Sequence, residues 1–117
     1  MSTGPPHDRP TVAELVTAVR EFLESDVMAA TEGRVQFHTR VSVNALRMVE
    51  RELELGGAQA EAHAAGLARL GVADEAALAA AIRDGALEDR RDEVVAFVRD
   101  TVRAKLEVAN PRYLEDA

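Results

Sequence analysis

The stretch GRVQFHTRVSVNALRMVERELEL, Gly33 to Leu55, spaces its apolar residues as a helix does. Advancing 100° per residue gathers Val35, Phe37, Val41, Ala45, Leu46, Met48, Val49 and Leu53 on one arc. The same rotation sets Arg40, Asn44, Arg47 and Arg51 together on the other side. The apolar arc covers roughly half the circumference, wider than the stripe of a helix lying on a surface, so at least two neighbours are needed to cover it. Gly56-Gly57 follows, a pair free to take the left-handed conformation, and is expected to close this helix and reverse the chain.

Upstream, Thr11 and Glu14 form a T-x-x-E capping box just before Val12, Leu15, Val16, Val19, Phe22 and Leu23, which predicts a first helix to about Ser25. Asp26 to Gly33 loses the period and reads as a connection, with Val27 and Met28 plugging the end of the core. Residues 1–10 hold three prolines and a glycine with little that is apolar, so a disordered arm carrying a solvated His7 is expected. Downstream, alanine-rich Ala58 to Leu70 predicts a third helix ended by Gly71. Asp74 is placed to cap a short fourth helix to Asp84, ended by Gly85. Asp89 is placed to cap the last helix, whose Val94, Val95, Phe97, Val98, Val102 and Leu106 spread over another broad arc. Pro111 ends it after Ala109, leaving Tyr113 to fold back as a packing lid.

The chain therefore reads as all-α: a single domain over residues 11–117, a four- or five-helix bundle with two long central helices at about 33–55 and 89–109. Ala-rich short helices cover the long ones poorly, and a second copy across a two-fold axis is the expected cover, giving a homodimer.

Composition narrows the function. With 117 residues one core is expected, and three Phe, one Tyr and no Trp leave few of the bulky strand formers. A net charge of −7 repels phosphate backbones and anionic lipid, so neither nucleic acid nor a membrane is expected as partner. No cysteine is present, which excludes a disulfide framework and a thiol nucleophile. Together with the lack of an apolar leader or of a run approaching about 20 apolar residues, this predicts a cytoplasmic protein.

The row Arg40, Asn44, Arg47, Arg51 could grip a phosphate, a carboxylate or an acidic partner, since guanidinium offers paired donors of fixed geometry. Glu50 and Glu54 stand at helical spacing from Arg47 and Arg51, so the same row also fits a solvated face of weak ion pairs. His38 projects into the apolar arc, between Arg34 and Glu52, as a core or interface histidine would. Proton transfer or metal ligation there would need further groups, and no H-E-x-x-H spacing occurs. His63, two residues from Glu61, reads as surface. Glu88, Asp89, Asp92 and Glu93 fit helix capping better than a cation site. No metal, no cofactor and no catalytic constellation is expected.

Four stretches, RPTVAELVTAVREFLESDVMAATEG, FHTRVSVNALRMVERELELG, GVADEAALAAAIRDGALEDR and VRAKLEVANPRYL, together resemble a bacterial family of uncharacterised small proteins classed as a domain of unknown function. Its signature positions correspond here to Arg40, Val41, Asn44 and Leu46, to Arg51 through Leu53, and to Asn110 through Leu114. The resemblance implies a genomic neighbourhood of aminoglycoside-phosphotransferase-like kinases and acyl-CoA dehydrogenases. It thus implies a phosphotransferase-associated or dehydrogenase-associated accessory module. A pocket for an acyl thioester or phosphorylated intermediate, built on the Arg40, Asn44 and Arg51 face, is the alternative.

Overall fold

A computed structural model describes residues 9–115. Among them every regular element is helical, so the all-α expectation holds. The predicted arm lies almost wholly outside the described residues, as does His7. The elements are α1 (Val12–Phe22), a π-helical turn (Leu23–Val27), α2 (Met28–Ala30), α3 (Gly33–Arg69), α4 (Glu75–Arg83), a 3₁₀ turn (Glu88–Arg90), α5 (Arg91–Ala109) and α6 (Pro111–Glu115). They divide into two compact units, one through Glu54 and one from Leu55.

The capping box at the start of α1 forms as read. Glu14 N donates to Thr11 Oγ1 at 3.1 Å and Thr11 N donates to Glu14 Oε1 at 2.7 Å. The helix does not stop near Ser25, however. It widens into the π turn and continues to Ala30, so the expected connection shrinks to the residues around Glu32. Gly33 follows with φ of +65°, a conformation that costs a glycine nothing. Thr31 Oγ1 donates to Val27 O at 2.6 Å, and Gln36 Nε2 to both Met28 O and Thr31 O. These bonds supply the backbone partners that the end of α2 lacks.

Contacts between this first helical run and α3 descend in number along one as they ascend along the other: Thr17 and Arg20 with Glu50, Glu24 with Arg47, Met28 with Gln36. The first unit is an antiparallel helical hairpin. Its seam is thin and partly polar. Thr39 and Val43 are its buried residues, flanked by half-buried Gln36, Leu46 and Glu50 from α3 and Val16, Thr17, Arg20 and Leu23 from the other strand of the hairpin.

The second unit corrects the reading of the glycine pair. α3 passes through Gly56-Gly57 without interruption and ends at Arg69, so the second and third predicted helices are one element of 37 residues. At Gly71 (φ +77°) Val72 N donates to Leu67 O and Gly71 N to Ala68 O, the paired bonds that close a helix end. The same pair recurs at Gly85, with Ala86 N to Ala81 O and Gly85 N to Ile82 O. Such an ending is reinforced when the residue after the glycine packs back on the last turn, as Val72 does on the Leu67 core. After Gly56 comes a second glycine, which has no side chain to do this, and the hydrogen-bond ladder continues.

Leu67, Leu70, Leu78 and Leu87 form the core of this unit, with Val72, Ala81, Val94 and Phe97 packed against it. Asp74 caps α4 as expected, accepting from Ala77 N at 2.8 Å. Asp89 does not cap α5. Burying Leu87 draws the next residues into the 3₁₀ turn, which takes Asp89 with it and leaves Arg90 at the cap position without a side-chain cap bond. Tyr113 is no lid. Pro111 opens the fresh turn α6, from which Tyr113 projects outward, 61% exposed, while Leu114 is half-buried.

Candidate functional site

The helical twist of α3 sets the arginine row along one side of the hairpin. Arg40 and Asn44 are exposed, Arg51 is half-buried, and Arg47 pairs with Glu24 of the π turn. Sequence spacing pointed to Glu50 and Glu54 as the row's partners. Glu50 instead turns into the seam, where Thr17 Oγ1 and Arg20 Nε each donate to it at 2.7 Å. The Thr17 hydroxyl, with Arg20 beside it, holds the Glu50 carboxyl below its ordinary value of 4.5, and the bond to Glu50 raises Arg20 in turn.

A depressed carboxylate contributes stability that is present above the ordinary value and lost as pH falls through the folded one. Glu50→Gln should therefore lower stability near neutrality and make the loss below about pH 4.5 shallower than in the parent. Urea midpoints measured across that range check both effects. An acid limb identical in the two proteins would remove Glu50 from the account.

His38 is exposed, edge-on to Phe37 with ring centroids 5.4 Å apart. Of the core or interface place expected for it, the core one is excluded within this chain, because the arc that contains it is itself uncovered. By helical rotation it also points about 150° away from the middle of the arginine row, so the two do not converge.

The uncovered arc is the hairpin's main feature. Phe37 and Val35 are each 57% exposed, Val41 49% and Leu53 45%, although α3 buries Thr39. On α1, Val12, Leu15, Val19 and Phe22 are exposed to a similar degree, because Thr17 and Arg20 occupy the seam. Antiparallel helices wind in opposite senses when viewed from one end. The Glu24–Arg47 pair therefore marks one polar side, and the α1 stripe falls on the other side with Val35, Val49 and Leu53. The result is a mainly apolar face across two helices, with Ser42 and His38 within it.

The second unit places His63, expected on the surface, half-buried between helices. Its ring lies 5.0 Å from that of Phe97, and Nδ1 is 3.4 Å from Thr101 Oγ1. Nε2 is 2.8 Å from Glu75 Oε2, close enough for an ion pair, yet it fails the geometry of a directed hydrogen bond and is closed off from solvent. A base must reach its substrate's proton, and this nitrogen is enclosed by the protein's own carboxylate. His63 is thus a packing and bridging residue between α3, α4 and α5. The nearby signal in the sequence is Ala58, Ala62 and Gly66, small residues that let α5 come close. A groove of about 400 Å³ runs past it, floored by Ala62, Phe97 and Ala104 and edged by Gln59, Asp100 and Arg103. Gln59 already donates to Ala104 O and Glu107 Oε1.

Among the acids around the start of α5, Glu93 in its first turn is engaged by Arg90 Nε and Nη2 at 2.9 and 2.8 Å, which holds its carboxyl below the ordinary value. Arg90 Nη2 also donates to Arg69 O, satisfying a carbonyl at the end of α3. Among the described residues no group of three or more His, Cys, Asp or Glu is arranged to hold a metal ion, and no helix is long and apolar enough to cross a membrane.

The fold and these surfaces define a small all-α helical protein with uncovered apolar faces. The model of a domain of unknown function, DUF6285, matches residues 29–113, and the chain belongs to that family. No curated protein and no solved structure matches it.

Proposed function

We propose that this protein is a non-catalytic helical interaction module whose working surface is the apolar face of its N-terminal hairpin. The observation that supports this reading is the inversion in α3. Beside Val43 and Leu46 the helix places Thr39, Gln36 and Glu50 in its seam, and it leaves Phe37, Val35, Val41 and Leu53 open. Isolated exposed apolar residues are ordinary on protein surfaces, whereas a contiguous face on two helices is a binding surface. The enclosure of His63 Nε2 argues in the same direction, against proton-transfer chemistry at that histidine.

The partner class implied by the family resemblance is a phosphotransferase-like kinase or an acyl-CoA dehydrogenase, for which the module would serve as an accessory subunit in the cytoplasm. Co-expression with each, followed by size-exclusion chromatography, tests this. Co-elution that is lost on Val19→Glu is the expected result. Separate elution from both enzymes would remove this partner class.

A further inference from the structure

We infer that the occupant of the hairpin's apolar face is a second copy of the same chain, packed face to face across a two-fold axis so that two hairpins make a four-helix bundle. The inference rests on the reading above that this face is a binding surface, and it gives the face to a second copy, in competition with the enzyme partner.

Area is the first argument. Val12, Leu15, Val19, Phe22, Val49 and Leu53, between 42% and 63% exposed, with Val35 beside them, present on the order of 600 Å² of apolar surface. Two such faces would bury about 1,200 Å² together, the lower end of the range for specific stable interfaces. The face is also broad in the direction a bundle needs, spanning two antiparallel helices rather than a single stripe.

Charge is the second argument. The chain carries a net −7, so most pairings of two copies would oppose like charges. This face is mainly aliphatic and aromatic, with Ser42 and His38 among its residues, because the Arg47–Glu24 pair and Glu50 lie on the polar side and in the seam. A second copy can lie on it without bringing charge against charge. A face with so few polar groups offers little to select a partner of opposite sign, whereas the same face of a second copy is apolar in the same places.

Sedimentation velocity from about 1 to about 200 μM tests the inference. The expected result is a mass that rises with concentration from one chain to two, while Val19→Glu and Leu53→Glu each remain at one chain with unchanged far-ultraviolet circular dichroism. Hydrogen exchange on the unmodified protein provides a second reading that needs no variant. Protection of residues 12–22 and 46–53 should fall on dilution. A single-chain mass at every concentration overturns the inference, and so does a dimer that both variants leave intact. In the first case co-elution with a kinase or dehydrogenase can still hold, so loss of the self-pairing is distinguishable from loss of the module reading.

Discussion

Gly66→Ala should destabilise the protein by about 1–3 kcal/mol, although alanine is the better helix former. Gly66 is buried in α3, and a Cβ built there would lie 2.6 Å from both Cδ1 and Cε1 of Phe97. Non-bonded carbon atoms do not tolerate that approach. The Phe97 ring has little freedom to retreat, since it stacks against His63 on one side and packs on the leucine core on the other. The same substitution at Gly57, also within α3, meets nothing within 4 Å and should stabilise by about 0.5–1 kcal/mol. Opposite signs for one chemical change in one helix separate packing from propensity. Chemical denaturation of both variants measures this, and Phe97→Leu in the Gly66→Ala background should recover part of the loss. If both glycine variants stabilise the protein, α5 does not approach α3 as closely as the structure has it.

Leu78→Ala should cost about 2–4 kcal/mol, the largest effect of any single truncation expected here. Leu78 is 6% exposed and is the one buried residue of α4, a helix of nine residues. So short a helix does not persist by its own hydrogen bonds and depends on the face it packs. Removing the leucine side chain leaves a cavity against Leu67, Leu70 and Leu87 and withdraws the anchor that holds α4 in place. Glu75 in its first turn would then lose its position beside His63. Native-state hydrogen exchange should show residues 75–83 opening well before the rest of the unit, with the global loss read from urea denaturation. Uniform loss of protection across the second unit would mean that α4 is no weaker than its neighbours.

Much of the architecture was legible beforehand, and the reasons are local. The Thr11–Glu14 box and Asp74 are caps whose partners lie three residues away, so short-range sequence contains both halves of the interaction. Gly71 and Gly85 were likewise readable as stops. Gly56-Gly57 was not, because a glycine only permits a helix to end, and at Gly71 the ending is reinforced by Val72 packing on the Leu67 core, a contact that a second glycine cannot make. The π turn at Leu23–Val27 escaped for a related reason. It adjusts one helix to its neighbour, and the neighbour is 20 or more residues away, as the Arg20–Glu50 and Glu24–Arg47 pairs show.

The site was less legible than the fold. His63 lies among alanines, and nothing nearby in sequence announces Phe97, Thr101 or Glu75, each of which reaches it from another helix or another turn. His38 had the stronger pattern and the weaker environment.

The sequence alone determined that the chain is helical, where several of its helices begin, and that its apolar surface exceeds what its small residues can cover. Those are properties of composition, period and caps, which act within a turn or two. Only the tertiary structure decided which arc of α3 faces inward. Periodicity ranks faces by hydrophobicity, but the seam was won by Gln36 and Glu50, whose hydrogen bonds across the hairpin fix its register, and by Thr39, whose hydroxyl is satisfied on Val35 O of its own helix, so the more apolar arc was left outward.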